Sequence, residues 1–413
     1  MAKTYRSEVI CVGSELLCDR VNTDINILSE ILAKAGISVK KCIIVGDEES
    51  EITDAVAESL KRSDILIITG GLGPTSDDIT KDSVAKFLNR RLLYSEEIWE
   101  SILEKFARRG TAPPEINKRQ AYIIEESEVI KNPAGTAPGL IVNVGEKLIA
   151  LFPGPPVELR PMAEFFAGSL KKLSADKPIE VYRFGISGTP ESAVEEKVQP
   201  AMKKLGIKYT ILAHPQMIEI LIIPGCMPEK VEKVENFLKN TFNEDYMGLN
   251  PPPLHEIVGN ILKEKKLKLA IAESCTGGLA SKLVTDIPGS SVYFQGAFVA
   301  YSNTVKKRVL KVSRPILKKY GAVSAETAAA MAKGAIKAGK ADVSLSFTGI
   351  AGPSGETDEK PAGLVFIGIG LPGRKYKTFK FIFTGNRERI REQAVNKGFY
   401  LLARTLRDSF NEK

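Results

Sequence analysis

Strand-like and helix-like segments alternate through the first 160 residues, and this alternation constrains the fold more than any other feature of the chain. The predicted order is strand 8–12, helix 24–35, strand 38–45, helix 50–62, strand 64–69 and helix 79–89. The strand segments are short, apolar and rich in β-branched residues, as buried strands are. Because a helix between two strands brings them into parallel register, the pattern predicts a doubly wound, mostly parallel α/β sheet.

Four segments rich in glycine and proline follow predicted strands in this region. Ligands of open α/β sheets bind beyond the carboxyl ends of the strands, where glycines let the backbone approach an anion. We therefore expect a nucleotide or phosphate pocket here, although such segments can also act only as turns. The candidate binding residues are Gly13, Ser14, Glu15, Gly70, Gly71, Gly73, Pro74, Thr75, Asn132, Gly135, Gly154 and Glu158.

Acidic residues in the same segments predict a divalent cation. Hard cations such as magnesium take carboxylate oxygens and would neutralise a bound diphosphate. Asp77 and Asp78 are the predicted metal residues, and Glu15 is a further candidate. The alternative is that the two aspartates only cap the helix that follows.

Three consecutive prolines, Pro251 to Pro253, predict a domain boundary, because such a run continues neither a helix nor a central strand. Before them, a small α+β unit is predicted from strands 179–186, 208–212 and 216–223 and helices 190–204 and 228–241. After them, an amphipathic helix opens a second α/β domain. The predicted domains are residues 1–174, 175–250 and 251–413.

A serine in the segment AESCTGG is the candidate nucleophile of the last domain. Ser274 lies between a predicted strand, 267–272, and a helix that we expect to run from Gly277 to residue 285. The N–H groups of Thr276, Gly277 and Gly278 are candidates to stabilise an oxyanion. The alternative is that Ser274 or Thr276 is an ordinary helix cap.

A tyrosine and a lysine follow the next predicted strand, 292–300. The chain has two histidines, so a Ser-His-Asp hydrolase is not favoured. An amine desolvated at a strand-to-helix junction has a lowered pKa and can accept the serine proton. We predict that Lys306 is this base and that Tyr301 relays the proton or orients the amine. Cys275 is the rival nucleophile, and an exposed Lys306 with a half-buried Tyr301 is the non-catalytic alternative.

Another glycine-rich segment of the last domain follows predicted strand 343–347 and suits the phosphate or ribose of a nucleotide. Its candidate binding residues are Ser346, Gly349, Ile350, Ala351 and Gly352. Further along the chain, Arg387 in the segment Gly-Asn-Arg is expected to add a cation near the same site.

Charge is divided unevenly along the chain. Residues 254–413 hold 27 Lys and Arg against 13 Asp and Glu, whereas residues 1–253 hold 31 against 37. A basic half suits an anionic small substrate or nucleic acid, and equally a solvated surface.

No apolar run approaches the roughly 18 residues of a membrane span, and no signal peptide is evident, so a cytoplasmic protein is expected. Five cysteines without a CxxC pair favour neither zinc nor a disulfide framework.

The segments GGLGPTSDD (70–78) and PGPP (153–156) resemble the molybdopterin-binding fold of the MoaB/MogA type. Together with AESCTGG, they make the whole chain resemble full-length proteins of the CinA (competence/damage-inducible protein A) family. The resemblance implies a KH-like middle domain and a homodimer. Gly185 to Gly188 fits the GXXG loop of KH domains, but its acidic neighbours favour a spacer over nucleic-acid binding.

For the last domain, the resemblance implies a nicotinamide-nucleotide amidase, which converts nicotinamide mononucleotide to nicotinate mononucleotide and ammonia without a cofactor. Ser274 would be the nucleophile, Lys306 the general base and Tyr301 the proton shuttle.

For the first domain, the resemblance implies an ADP-ribose pyrophosphatase that depends on a divalent cation. Asp77 and Asp78 would place the metal or water, and the glycines of segment 70–78 with Thr75 would hold the diphosphate. Two alternatives stay open. One is a molybdopterin-binding or adenylyl-transfer relative, and the other is a non-enzymatic accessory protein of competence or recombination.

Overall fold

The computed structural model describes residues 5–171, 178–215, 217–222 and 228–411. The chain forms two units, Met1–Glu180 and Val181–Lys413. The predicted boundary between residues 174 and 175, the strand ends predicted at residues 216 and 223, and Cys226 lie outside the described residues. Within the described part, no helix is both long and apolar enough to cross a membrane.

The first unit is built on a six-stranded sheet of order β2-β1-β3-β8-β7-β6, beside a two-stranded β4-β5 ladder. Its strands are β1 (Arg6–Val12), β2 (Ser38–Val45), β3 (Ile65–Thr69), β4 (Leu92–Tyr94), β5 (Tyr122–Ile124), β6 (Ser127–Ile130), β7 (Gly139–Val144) and β8 (Lys147–Phe152). β2, β1, β3 and β8 are parallel. β7 and β6 add an antiparallel edge that the sequence pattern did not predict.

Helices cover both faces of this sheet, which confirms the doubly wound α/β prediction. They are α1 (Glu15–Cys18), α2 (Asp24–Lys34), α3 (Glu49–Arg62), α4 (Thr80–Phe87), α5 (Glu96–Ala107) and α6 (Pro156–Lys171). On one face, α2 and α6 bury Leu28, Ile31 and Phe166 against Val9. On the other face, α3 and α4 pack against a separate core that includes Ile10. Alternate residues of β1 thus enter opposite cores, as strand geometry requires.

The second unit begins with an antiparallel sheet of order β10-β11-β9-β12. Its elements are β9 (Tyr182–Ile186), α7 (Glu191–Leu205), β10 (Tyr209–Ala213), β11 (Ile218–Ile222), α8 (Pro228–Phe242) and β12 (Tyr246–Leu249). Val194, Val198, Val234 and Leu238 of the two helices are buried in one core with the sheet.

A five-stranded sheet of order β14-β13-β15-β16-β17 completes the second unit. Its elements are α9 (Leu254–Glu264), β13 (Leu269–Glu273), α10 (Leu279–Thr285), β14 (Phe294–Val299), α11 (Asn303–Arg308), α12 (Arg314–Tyr320), α13 (Ala325–Gly339), β15 (Val343–Gly349), β16 (Leu364–Leu371), β17 (Lys375–Ile382) and α14 (Arg387–Asn411). β14, β13 and β15 are parallel, and β16 and β17 are antiparallel. The carboxyl ends of the three parallel strands therefore meet at one edge.

Candidate functional site

Ser274 lies at that edge, directly after β13. Its N–H donates to the carbonyl of Phe347 on β15 at 3.0 Å, which extends the parallel ladder by one residue. The side chain is nearly buried, with 8% of its surface exposed. The strand thus fixes the serine backbone before the chain turns towards α10.

The Lys306 side chain reaches Ser274 from α11. Its Nζ lies 2.8 Å from Ser274 Oγ, 2.8 Å from the carbonyl oxygen of Ala300 and 3.0 Å from that of Tyr301. A neutral amine has two N–H donors and one lone pair. The two carbonyls can take only the N–H groups, so the lone pair is left for the Ser274 hydroxyl proton. These partners suit an amine that acts as a base towards the serine.

Burial controls the protonation of this pair. The Lys306 side chain is 1% exposed, and burial lowers the pKa of its amine to about 8. Burial acts in the opposite direction on the neighbouring Cys275, where it raises the pKa of the thiol to about 12. A protonated thiol is a poor nucleophile, so this geometry favours Ser274 over Cys275.

Tyr301 contacts the Lys306 amine through its main-chain carbonyl and not through its phenol. Its carbonyl oxygen orients the Lys306 amine, whereas its side chain is 63% exposed. The phenol accepts a hydrogen bond from Arg387 Nη2 at 3.3 Å. In this arrangement the hydroxyl pairs with Arg387 and not with the amine, and the relay through the phenol stays a prediction.

The turn after Ser274 is held by a buried carboxylate. Glu273 is fully buried and accepts N–H groups of Gly278, Ala280 and Ser281 at 2.9, 3.2 and 2.9 Å. The N–H of Gly277 donates to the Ser274 carbonyl at 3.2 Å. Both glycines have positive φ, 61° and 99°, so α10 begins at Leu279, two residues later than predicted.

This arrangement corrects the expectation that Gly277 and Gly278 stabilise an oxyanion, because both N–H groups already have acceptors inside the turn. Thr276 is held differently: its carbonyl accepts Nε and Nη2 of Arg391 at 3.1 and 2.6 Å. Its hydroxyl is fully buried and has no partner among the described residues.

The predicted binding residues of the segment after β15 are buried or half-buried. The Ser346 hydroxyl donates to the carbonyl of Ala328 at 2.7 Å inside the core, so its predicted role in binding is corrected. Beyond it, the Ile350 N–H donates to Leu364, which continues the β15–β16 pairing past Gly349. Ala351 is buried in the core. The Gly352 carbonyl accepts Arg387 Nη1, and Nη2 of the same guanidinium donates to the Tyr301 hydroxyl.

A separate cleft of about 570 Å³ lies at the carboxyl ends of β1, β3 and β8 in the first unit. The predicted residues that line it are Gly13, Glu15, Gly70, Gly71, Gly73, Pro74, Asp77, Asp78, Gly154 and Glu158. Gly70 has a φ of 97°, and a Cβ at this position would lie 2.0 Å from the Val12 carbonyl. Only glycine therefore allows β1 and the 70–78 loop to meet here.

Four of the predicted residues do not line the cleft but hold the loops around it: Ser14, Thr75, Asn132 and Gly135. The Asn132 Oδ1 accepts the N–H groups of Ala134 and Gly135, and its Nδ2 donates to Glu158 at 2.6 Å. Ser14 exchanges hydrogen bonds with Asp47 at 2.8 and 3.2 Å. The fourth residue, Thr75, bonds to the aspartates of its own loop.

Asp78 closes the 70–78 loop on itself. Its carboxylate accepts the N–H of Gly73 at 2.7 Å, the N–H of Thr75 at 2.8 Å and the Thr75 hydroxyl. Asp77 also accepts the Thr75 hydroxyl, which holds the pKa of this exposed carboxyl below its usual value. Both oxygens of Asp78 thus hold its own loop, and the metal role of this residue stays a prediction.

Within the described residues, no group of three His, Cys, Asp or Glu side chains could hold a metal ion on its own. A magnesium ion is commonly held by one or two carboxylates together with substrate phosphates. Asp77 and Glu15, which both line the cleft, fit that partial role. The protein donor set therefore suits a cation that arrives with a phosphate ligand.

Sequence reasoning missed Asp24, Arg20 and Asp47, which also line the cleft. Asp24 is nearly buried, accepts the Thr69 hydroxyl at 2.9 Å, and burial raises its pKa. Asp47 follows strand β2, so the same strand-end rule that predicted the glycine loops could have identified it. The rule does not identify Arg20 or Asp24, because both residues follow helix α1 and not the end of a strand.

Residues 8–172 match the family described as "Probable molybdopterin binding domain", and residues 252–406 match "CinA C-terminal domain". A competence-damage inducible protein of Caldicellulosiruptor saccharolyticus is 41% identical over 410 residues, covering 97% of this chain and 99% of the relative. The CinA-like protein of Dictyoglomus thermophilum is 41% identical over 395 residues, covering 94% and 95%.

Among solved structures, the CinA protein of Thermoplasma acidophilum is 32% identical and matches with a TM-score of 0.38. The match covers 40% of this chain and 98% of that one.

The Glu273 clamp leads to a stability prediction. Glu273→Gln replaces one acceptor oxygen by an N–H₂ group that cannot accept the surrounding N–H groups. We expect the free energy of unfolding, measured with urea, to fall by about 1–3 kcal/mol. The control is Glu326→Gln, an exposed carboxylate in the first turn of α13, which should cost less than about 0.5 kcal/mol. Equal effects of the two variants would contradict the clamp.

Proposed function

This chain belongs to the CinA family, and from that premise we propose that its C-terminal part is an amidase that hydrolyses nicotinamide mononucleotide to nicotinate mononucleotide and ammonia. The observation that carries the proposal is the 2.8 Å contact between Lys306 Nζ and Ser274 Oγ. It supplies a nucleophile and a base, and burial of the lysine lowers the pKa of its amine to about 8.

The reaction needs four proton transfers through the same amine, two in each half-reaction. Lys306 takes the hydroxyl proton as Ser274 Oγ attacks the carboxamide carbon, and the ammonium then protonates the departing nitrogen. Ammonia leaves and an ester joins Ser274 to the nicotinoyl group. Lys306, neutral again, removes a proton from water, which attacks the ester and releases the carboxylate. The serine recovers its proton from the lysine.

The developing oxyanion needs donors other than Gly277 and Gly278. We assign this role to the N–H groups of Cys275 and Thr276, since the residue after the nucleophile commonly supplies an oxyanion donor on strand-to-helix turns. Arg391 supports this position because it binds the Thr276 carbonyl. The substrate phosphate is assigned to Arg387, the exposed cation between Gly352 and Tyr301.

Substitution of Ser274 and Lys306 tests the proposed nucleophile and base. Ser274→Ala should lower ammonia release from nicotinamide mononucleotide by at least about a thousandfold, because no nucleophile remains. Lys306→Met should lower it by about a hundredfold to ten-thousandfold, the usual contribution of a general base. Cys275→Ala is the matched control and should retain activity. Normal release by Ser274→Ala, or loss only in the Cys275 variant, would refute the serine mechanism.

The dependence of ammonia release on pH tests the protonation state of Lys306. Only the neutral amine can accept the serine proton, and burial lowers the pKa of Lys306 to about 8. The value of kcat/KM should therefore rise with pH through about 8 and level off above it. Lys306→Arg should be inactive throughout, since a guanidinium stays protonated. A pH profile that is flat from about pH 6 to pH 10 would count against the lysine as base.

We further propose that the cleft of the first unit cleaves ADP-ribose, with a divalent cation. Support comes from its position at the carboxyl edge of a parallel sheet and from its lining of both glycine backbone and carboxylates. The carboxylates of the lining outnumber its arginine, Arg20, and would repel a diphosphate, so the lining favours a ligand that binds with a cation. When bound, the cation would supply charge neutralisation, held by Asp77 and Glu15. Gly70, Gly71 and Gly73 would face the diphosphate.

Chelation separates the two proposed activities. EDTA should abolish ADP-ribose cleavage and leave ammonia release unchanged, because the amidase residues include no metal ligand set. Asp77→Asn should raise the magnesium concentration needed for half-maximal cleavage by about tenfold, since a ligand charge is lost. The exposed Asp54→Asn on α3 should behave as wild type. Cleavage that persists in EDTA would overturn the cation proposal.

A further inference from the structure

The exposed cations of the segment from α11 to α12 form a surface that no acidic side chain neutralises. Residues 287–325 contain no Asp or Glu. In the part of the second unit that the structure describes, the ion pairs involve other residues. We call this region the basic surface, and its exposed residues are Lys307, Arg308, Lys311, Arg314, Lys318 and Lys319.

This charge is a local feature of the protein. In the first unit, by contrast, many surface cations have a carboxylate partner: Lys61, Arg62 and Arg91 each pair with a glutamate. Six neighbouring cations without such partners repel one another. A ligand that supplies negative charge would remove this repulsion.

Apolar side chains determine which way the six cations point. Leu310 and Val312 are buried, and Ile316 and Leu317 pack against the same core, which includes Met331 of α13. Because these residues face inward, the charged residues between them are turned to solvent. The two helices and the loop that joins them thus present their cations outward.

Helix stability does not account for the arrangement. Lys318 and Lys319 lie in the last turn of α12 and suit the helix dipole, but Arg314 is the first residue of the helix, where a cation is disfavoured. Arg314 and Lys318 are also four residues apart, where like charges repel across one helical turn. An anionic ligand would offset both effects.

The uncharged part of the basic surface favours nucleic acid over a membrane or an acidic protein. Within the described segment 303–319, no large apolar side chain is exposed, whereas membranes and protein partners bind through apolar or aromatic anchors. Tyr320, which follows this segment, is 36% exposed, and Lys319 Nζ lies 5.0 Å from its ring centre. A tyrosine ring beside a cation is a platform on which a base can stack.

We propose that the basic surface binds single-stranded nucleic acid through its phosphate backbone, without sequence preference. The six cations would neutralise up to six phosphates, and Tyr320 would stack on an unpaired base. This inference goes beyond the proposed amidase and does not rest on it. Lys306, the buried residue of α11, contacts Ser274, whereas the basic surface faces solvent.

Fluorescence anisotropy of a labelled oligo(dT) of about 20 nucleotides, titrated with the full-length protein, tests the proposal. If all six cations contact phosphates, log Kobs should fall with log salt with a slope of about −4, which is a loss of about 300-fold between about 50 and 200 mM NaCl. Tyr320→Leu should weaken oligo(dT) at least about fivefold and leave a duplex of equal length unchanged, because paired bases cannot stack on the ring.

Removal of charge tests the position of the site. Arg314→Gln together with Lys318→Gln should weaken oligo(dT) at least about tenfold and reduce the slope by about 1.4. The matched control is Lys375→Gln together with Lys377→Gln, which removes the same charge from two exposed lysines of β17 and should bind as wild type. Both double variants should release ammonia at the wild-type rate, because neither changes the serine–lysine centre.

Four results would overturn the proposal: no binding at about 50 mM salt, equal loss in the two double variants, binding to phosphatidylglycerol vesicles in place of oligo(dT), or unchanged oligo(dT) binding by Tyr320→Leu. The last would indicate a surface for polyanions in general. If Tyr320→Leu fails to fold, the comparison of the two double variants decides. Oligo(dT) binding by a protein that releases no ammonia would leave the basic surface standing and refute the amidase instead.

Discussion

The three hydrogen-bond partners of one buried amine govern the chemistry that we propose for this protein. Lys306 would cost much free energy as a buried ammonium, and its two backbone carbonyls leave a single lone pair directed at Ser274. The same burial keeps the Cys275 thiol protonated. One desolvated environment thus makes the amine a base and excludes the adjacent rival nucleophile. The chain belongs to the CinA family, and both the amidase chemistry and its substrate are our proposal.

The two units use the same device to shape their glycine-rich loops. Asp78 accepts backbone N–H groups of the 70–78 loop, and Glu273 accepts those at the start of α10. A carboxylate with two or three N–H donors is held firmly and in turn fixes the loop. Acidic residues within such loops are therefore easily mistaken for metal ligands or catalytic groups. Here their first role is to hold the glycine backbone in place for a ligand.

Much of the architecture followed from local patterns. Strand β2 was predicted to the residue, and α2 and α3 to within one residue, and each of the two helices buries one apolar face that gives it a helical period. The antiparallel β6–β7 edge was missed, since a short apolar run does not show whether its strand runs parallel or antiparallel to its neighbour. At the site, Ser274 and Lys306 were found from residue type and spacing, and the structure places them in contact. Asp24 and Arg391 were not found, because their positions depend on distant packing.

The sequence by itself determined the alternation of strands and helices, the positions of the glycine-rich turns and the residue types available for catalysis. These depend on neighbours within a few residues, and the chain carries that information directly. Only the tertiary structure decided which atom of each residue acts. It turned the Tyr301 phenol outward and its carbonyl towards the amine, and it directed the N–H groups of Gly277 and Gly278 into the turn. Burial and hydrogen-bond partners arise from segments far apart in sequence, which no local pattern records.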